Sequence, residues 1–300
     1  VNYSARFDAS GAAVQSCVVA LHCSLGSGRQ WAPLLAALSH RHQVFAPDIS
    51  GYGDGSLPPH ATATLASEVE FLSDQLAAVP GPIHLVGHSY GGAIAFRIAT
   101  ASALAPRVRS LTLIEPILPT LLLEHEQDRH LYEHFARLAN RVCSALWAGD
   151  TNAALDTFLT FWSGADASKR PSPQACLRLA QYAGKLVGDF TAAFAEGDVP
   201  AAARSLAVPV LLFSGGLSPF VTRRVVGRLA SSIANARAIH LASAGHMLAV
   251  THAAELIPDI ADHIADADER AARTAGSAPI RTGRHELLRK ERLHFESALS

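Results

Sequence analysis

Cysteine is scarce and scattered: four residues, Cys17, Cys23, Cys143 and Cys176, none in C-x-x-C spacing. That excludes a disulfide-stapled scaffold, and Cys17, inside an apolar run, suits a reduced, buried thiol. Excess charge is lacking too, with 25 Lys and Arg against 26 Asp and Glu for a formal net charge of −1. Nothing general in that balance recruits nucleic acid or an anionic membrane. No apolar run reaches the roughly 18 residues that a membrane span needs. The opening VNYSARFDASGAAVQS has no basic segment followed by an apolar one, so no signal peptide is expected and a cytoplasmic location is the default. No G-x-G-x-x-G or P-loop pattern occurs, so no nucleotide cofactor is implied.

What the chain has is apolar material: 49% hydrophobic residues across 300 positions, enough for one large domain or a core with an insertion. Short apolar runs alternate with helical patterns. CVVAL (17–21), QVFAPD (43–48), PIHLVG (82–87) and VRSLTLIEP (108–116) read as strands. RQWAPLLAALSH (29–40), TLASEVEFLSDQLAAV (64–79) and GGAIAFRIATASAL read as helices between them. The strands are continuously apolar rather than alternating, which indicates a parallel sheet covered on both faces. From Ile117 to about Leu206 the pattern is helical with almost no strand, and alternation resumes at VPVLLFSGG (208–216). The expected fold is therefore α/β, a mostly parallel sheet with helices on both faces and an inserted helical lid. The core is placed at 1–116 and 207–268, the lid at 117–206, and a tail or appended helix at 269–300.

Gly87-His88-Ser89-Tyr90-Gly91 fits G-x-S-x-G between a strand and a helix, the context in which that motif holds a serine on a tight, strained turn. Small flanking residues let strand and helix approach, and the helix aims its N-terminal amides at developing negative charge. Here the chain resembles the α/β-hydrolase family, on both sides of the insertion. The resemblance implies that Ser89 is the nucleophile and that the backbone N–H of Tyr90 is one oxyanion donor. The second donor would come from the loop Leu21-His22-Cys23-Ser24, where family members often write His-Gly-x; by position it is Ser24, with Cys23 where glycine usually stands. The terminal loop Ser243-Ala244-Gly245-His246-Met247 resembles the family's A-G-H loop and makes His246 the general base. His22 and His88 flank these loops as supporting or turn residues.

The expected acid is missing. In the segment resembling G-x-x-D-P the chain has Gly215-Gly216-Leu217-Ser218-Pro219, with an uncharged serine at the acid's position. Ser218 suits an N-cap ahead of Pro219 and FVTRRVVGRLA. Three explanations follow: a catalytically dead binding protein, a Ser–His dyad, or an acid that has moved. Glu115, ending the strand SLTLI after the nucleophile helix, is the candidate for relocation, as some members of the fold place the acid there. Its alternative is a solvated carboxylate or a salt bridge to Arg107 or Arg109. LHCSLGS, GHSYGG, LIEP, SGGLSP and AGHM together resemble a subgroup of bacterial-type hydrolases. Asp48 in APDISGYGDG is read as turn support.

Leu121, Leu122, Phe158, Phe161 and Trp162 of the insertion either line a substrate pocket or pack lid helices together; Trp162 and Phe161, with His22, are the substrate-binding candidates. His125, His130 and His134 among acidic neighbours look like an exposed helix face, and no metal is expected. The resemblance implies a cofactor-independent serine hydrolase of a small to medium, largely apolar ester, thioester or lactone. Carbon–carbon bond hydrolysis and perhydrolysis use the same machinery. Epoxide or haloalkane hydrolysis is disfavoured because members doing that chemistry carry aspartate where this chain has Ser89. The expected partner is a small-molecule substrate, with no nucleic acid and no membrane.

Overall fold

A computed structural model describes residues 16–53, 63–79, 81–163 and 172–274. Six strands, β1 (Cys17–Leu21), β2 (Gln43–Phe45), β3 (Ile83–His88), β4 (Val108–Ile114), β5 (Val210–Gly215) and β6 (Ala236–Leu241), form one sheet in the order β2-β1-β3-β4-β5-β6. Every neighbouring pair is parallel. The six helices α1 (Ala32–Leu38), α2 (Leu65–Ala77), α3 (Tyr90–Ala101), α9 (Phe220–Ser232), α10 (Leu248–Thr251) and α11 (Ala253–Thr274) belong to the core. Between β4 and β5 runs the insertion: α4 (Arg129–Trp147), α5 (Thr151–Ser163), α6 (Pro173–Ala180), α7 (Lys185–Ala195) and α8 (Val199–Ser205).

Strand β1 shows why both faces must be covered. Its side chains alternate, so Cys17, Val19 and Leu21 join the layer with α2, α3 and α9, while Val18 and Ala20 join the layer with α1 and α11. All five are essentially excluded from solvent. A parallel sheet reached by crossover helices buries both faces in this way. Helix α2 begins at a capping box, the Thr64 hydroxyl accepting from Ser67 N–H and the Ser67 hydroxyl from Thr64 N–H.

Two boundaries differ from expectation. Helix α9 starts one residue later than the Ser218 cap requires: Pro219 is the N-cap, with ψ of 140°, and makes no side-chain capping bond. The extended Pro219 carries the chain past Ser218, whose hydroxyl is buried beside Gly215 without a hydrogen-bond partner. Helix α11 runs through Thr274, past the expected end of the core at 268. Near that end Asp268 receives Arg109, Ser16 and His84 and so pins α11 to the sheet. The rest of the segment read as a tail, from 275 on, lies outside the described residues. Among the described residues, no helix is long and apolar enough to cross a membrane.

Candidate active site

The strand-to-helix turn at Ser89 is built by its two glycines. A Cβ on Gly87 would lie 2.5 Å from the Gly91 carbonyl oxygen, and one on Gly91 would lie 2.3 Å from that of His22. Neither position accepts a side chain, so β3, α3 and the loop after β1 close on one another. Ser89 takes φ 57° and ψ −119° at the N-cap of α3, a strained conformation that lifts its side chain off the sheet. Its N–H donates to Ile114 and its carbonyl accepts from Ile117 and Ala93, which fixes the turn against β4.

Three side chains from three strand ends then meet. The Ser89 hydroxyl lies 3.0 Å from His246 Nε2, and His246 Nδ1 lies 2.7 Å from Glu115 Oε2. Because Nδ1 faces a carboxylate, the ring carries its proton there and Nε2 is free to accept from Ser89. Glu115 is wholly buried, and its second oxygen accepts the Gly215 N–H at 2.7 Å. Its backbone has φ 44°, a strained turn directly after β4 that presents the carboxylate toward β5. Arg107 instead donates to backbone carbonyls of Leu76, Val79 and Gly81, and Arg109 pairs with Asp268. Neither competes for Glu115.

Around this trio the supporting residues are linked by hydrogen bonds. His88 donates from Nε2 to the His246 carbonyl at 2.8 Å and accepts at Nδ1 from Gln30. Burial, then the neighbouring His246, pushes it down to about 3, so it stays uncharged. Gln30 also accepts from Cys23 N–H and Cys23 Sγ. Cys23, where a glycine was expected, thus contributes a thiol to a link running through Gln30 and His88 to the His246 loop. Cys23 N–H is taken by Gln30, Ser24 N–H is the candidate donor by its position, and Tyr90 N–H is one of the orphan amides opening α3. Asp48 Oδ1 accepts from Gly28 N–H at 2.7 Å, which secures the adjoining turns.

His22 is not at the pocket. It is fully buried, donates to the Cys23 carbonyl and accepts the Ile49 N–H, and burial pushes it down to about 4. Both ring nitrogens are spent joining its own loop to the loop after β2, which corrects its reading as substrate-binding. Phe161 is likewise displaced: it packs edge-on against Trp162, ring centroids 4.8 Å apart, behind the pocket wall. Trp162 does reach the site. Its ring stacks on His246 at 4.0 Å and 22°, covering the imidazole from the insertion side. Leu121 and Leu122 are core residues, and Phe158 lines the pocket.

That pocket, a tight cavity of about 20 Å³, lies over Ser89 between the strand ends and the insertion. Its walls are Ile117, Phe135, Phe158, Trp162, Leu186 and Phe190, with Ser24, Tyr90 and Asp189 at the polar end. Sequence reading missed Gln30 and Asp189. Gln30 sits in an undistinguished GSGRQW, but Lys185 and Asp189 left a signal: two opposite charges four apart within the apolar KLVGDFTAAF. His134 packs against Phe161 and His125 lies 3.9 Å from Glu124; among the described residues, no three metal-ligating side chains converge.

Comparison with known proteins agrees with this architecture. The family profile described as alpha/beta hydrolase fold matches residues 17–253. The pimeloyl-[acyl-carrier protein] methyl ester esterase of Aeromonas hydrophila is 25% identical over 258 residues, 82% of this chain and 94% of that protein. The chloroplastic protein PHYLLO of Arabidopsis thaliana is 31% identical over 87 residues, 26% of this chain but only 5% of PHYLLO. Among solved structures, MenH from S. aureus superposes with a TM-score of 0.70 at 17% identity, covering 87% of this chain and 97% of that one. The enol-lactonase from Burkholderia xenovorans gives 0.62 at 22%, covering 84% and 92%. The match spans the sheet, the turn at Ser89 and the His246 loop alike, and the chain belongs to the alpha/beta hydrolase fold family.

Proposed function

We propose that the protein is a cofactor-independent serine hydrolase that cleaves a small to medium, largely apolar ester, thioester or lactone through an acyl-enzyme. The observation that carries this reading is the unbroken chain of hydrogen bonds from Ser89 through His246 to the buried Glu115. His246 Nε2 takes the Ser89 proton as Oγ attacks the carbonyl carbon, and Glu115 stabilises the imidazolium that forms. The tetrahedral oxyanion is held by the backbone amides of Tyr90 and Ser24, with the N-terminus of α3 behind them. His246 then protonates the leaving oxygen or sulfur. Water, deprotonated by the same nitrogen, releases the acid from Ser89.

Trp162 lies face-on to His246 and covers the imidazole from solvent. The aromatic walls suit an apolar acyl group. Similarity to an esterase and a lactonase fits this class. The ligand-binding alternative drew its support from the missing carboxylate at Ser218; Glu115, 2.7 Å from His246, supports the hydrolase reading instead.

The test is pre-steady-state hydrolysis of p-nitrophenyl esters of increasing acyl length. An initial burst of nitrophenol stoichiometric with enzyme, greatest for short and medium chains, is the expected result. Turnover without a burst at any chain length, undiminished by Ser89→Ala, would rule the mechanism out.

A further inference from the structure

Beside the pocket lies a buried ionic cluster that the mechanism above does not use. Lys185 of α7 contacts two carboxylates, Asp189 of the same helix at 2.5 Å and Glu68 of α2 at 2.7 Å. All three side chains are under a tenth exposed. Burial alone would lower Lys185, but Asp189 and Glu68 overcome it and hold the ammonium above its ordinary range, so it is charged. The Lys185 Nζ also sits 5.0 Å from the centre of the Tyr90 ring and 5.5 Å from that of Tyr52.

The remaining partners of the two carboxylates are specific. Asp189 Oδ2 accepts from the Ser24 hydroxyl at 2.5 Å and from Tyr52 OH at 2.6 Å. Glu68 accepts from Tyr90 OH at 3.1 Å and from the Ser50 hydroxyl at 2.7 Å. Ser24 and Tyr90 are the two residues whose backbone amides face the acyl oxygen in the proposed mechanism. Each therefore has its side chain bound to one of the two carboxylates that Lys185 bridges. Stability does not explain the arrangement, because a buried salt bridge contributes little net free energy compared with apolar side chains of the same volume. Positioning does: two loops remote in sequence are held to one cation, and that cation is carried by the insertion.

We propose that Lys185, Asp189 and Glu68 are positioning residues that clamp the amides of Ser24 and Tyr90 into an oxyanion site only when the insertion is seated on the core. The proposal rests on the serine-hydrolase reading. It makes the insertion part of the catalytic geometry through α7, beyond its contribution of pocket walls.

The mildest probes are Ser24→Ala and Tyr90→Phe, which delete the side-chain tethers and keep both backbone amides. With p-nitrophenyl butyrate, each is expected to lower kcat by about 10-fold, short of the 10²–10³ lost when an oxyanion donor is itself removed. KM stays near the wild-type value, because ground-state binding belongs to the aromatic walls. Ser24→Thr restores the rate by restoring the hydroxyl. Lys185→Met lowers kcat as well, and adding Ser24→Ala to it costs less than the product of the single effects, since both cut the same clamp. Melting temperatures are measured on every variant. A lower melting temperature with wild-type kcat in Ser24→Ala and Tyr90→Phe would make the cluster a structural element only and overturn the proposal. If Lys185→Met does not fold, those two variants decide. Wild-type reaction with a fluorophosphonate at Ser89 separates the cases: with labelling, unaltered rates in the tether variants reject the clamp alone; without it, the hydrolase reading falls and the clamp with it.

Discussion

Replacing Glu115 by glutamine preserves shape and removes charge at the one position that the sequence alone could not settle. The carboxylate serves two donors, one on each oxygen: His246 Nδ1–H and Gly215 N–H, both at 2.7 Å. A glutamine has a single acceptor oxygen, so its NH₂ must face one of them in a site with no access to water. Facing Gly215, it sets two donors against each other and leaves a buried amide unsatisfied, at about 1–3 kcal/mol. Facing His246, it forces the ring proton onto Nε2, and the imidazole can no longer accept from Ser89. Loss of the anion also removes the stabilisation of the imidazolium. By comparison with other triad acids the expected loss in kcat/KM is on the order of 10⁴, which is about 5 kcal/mol of barrier. Ser218→Ala is the control, and its effect is expected to stay below about threefold, under about 1 kcal/mol. Steady-state hydrolysis of a p-nitrophenyl ester by both variants decides it. A Glu115→Gln enzyme within about tenfold of wild type, or a comparable collapse in Ser218→Ala, would refute the reasoning.

Acid sensitivity follows from three buried neutral histidines, His22 and His263 at about 4 and His88 at about 3. Below about pH 6.5 the unfolded chain binds protons that the folded one refuses, so stability falls progressively from there toward pH 3–4, each histidine costing on the order of a few kcal/mol; urea unfolding across that range should show it. Asp128, just before α4, accepts from Arg224 at 2.8 Å and Arg228 at 2.6 Å and ties the insertion to α9. The arginines are partly exposed, so Asp128→Asn is expected to cost about 1–3 kcal/mol and to lower the melting temperature by a few degrees, less than for a fully buried pair. Gly91→Ala is expected to abolish soluble folded protein or to destabilise it more than any of these, because its Cβ meets the His22 and Leu21 carbonyls at 2.3 and 2.4 Å; expression and circular dichroism test it.

The inner strands β1, β3, β4 and β5 were legible because each is a largely apolar run buried on both faces, whereas the edge strands β2 and β6 are partly exposed and β6 carries Arg237 and His240. Ser89 and His246 were legible because the fold places them on turns with steric signatures, glycines that cannot carry a Cβ and a loop of small residues. Glu115 was legible as the candidate relocated acid, from its place after SLTLI and the serine at position 218. Its contact with His246 depends on a positive φ and joins residues 131 positions apart, and neither is written locally. The Ser218 cap failed because Pro219 could equally stand outside the helix as open it. Phe161 and Trp162 are adjacent in sequence, and only the rotation of α5 decides which faces His246. The Lys185 cluster draws on α2, α3, α7 and the loops after β1 and β2, and no spacing in the chain joins them.

The central claim is that Ser89 is an activated nucleophile, and intact-mass analysis after incubation with a fluorophosphonate tests it without any assumption about substrate. One adduct per chain on the wild-type protein, absent in Ser89→Ala and greatly slowed in Glu115→Gln, is the predicted result. A well-folded wild-type protein that takes up no label would contradict it, and would leave the His246–Glu115 pair as part of a ligand-binding site.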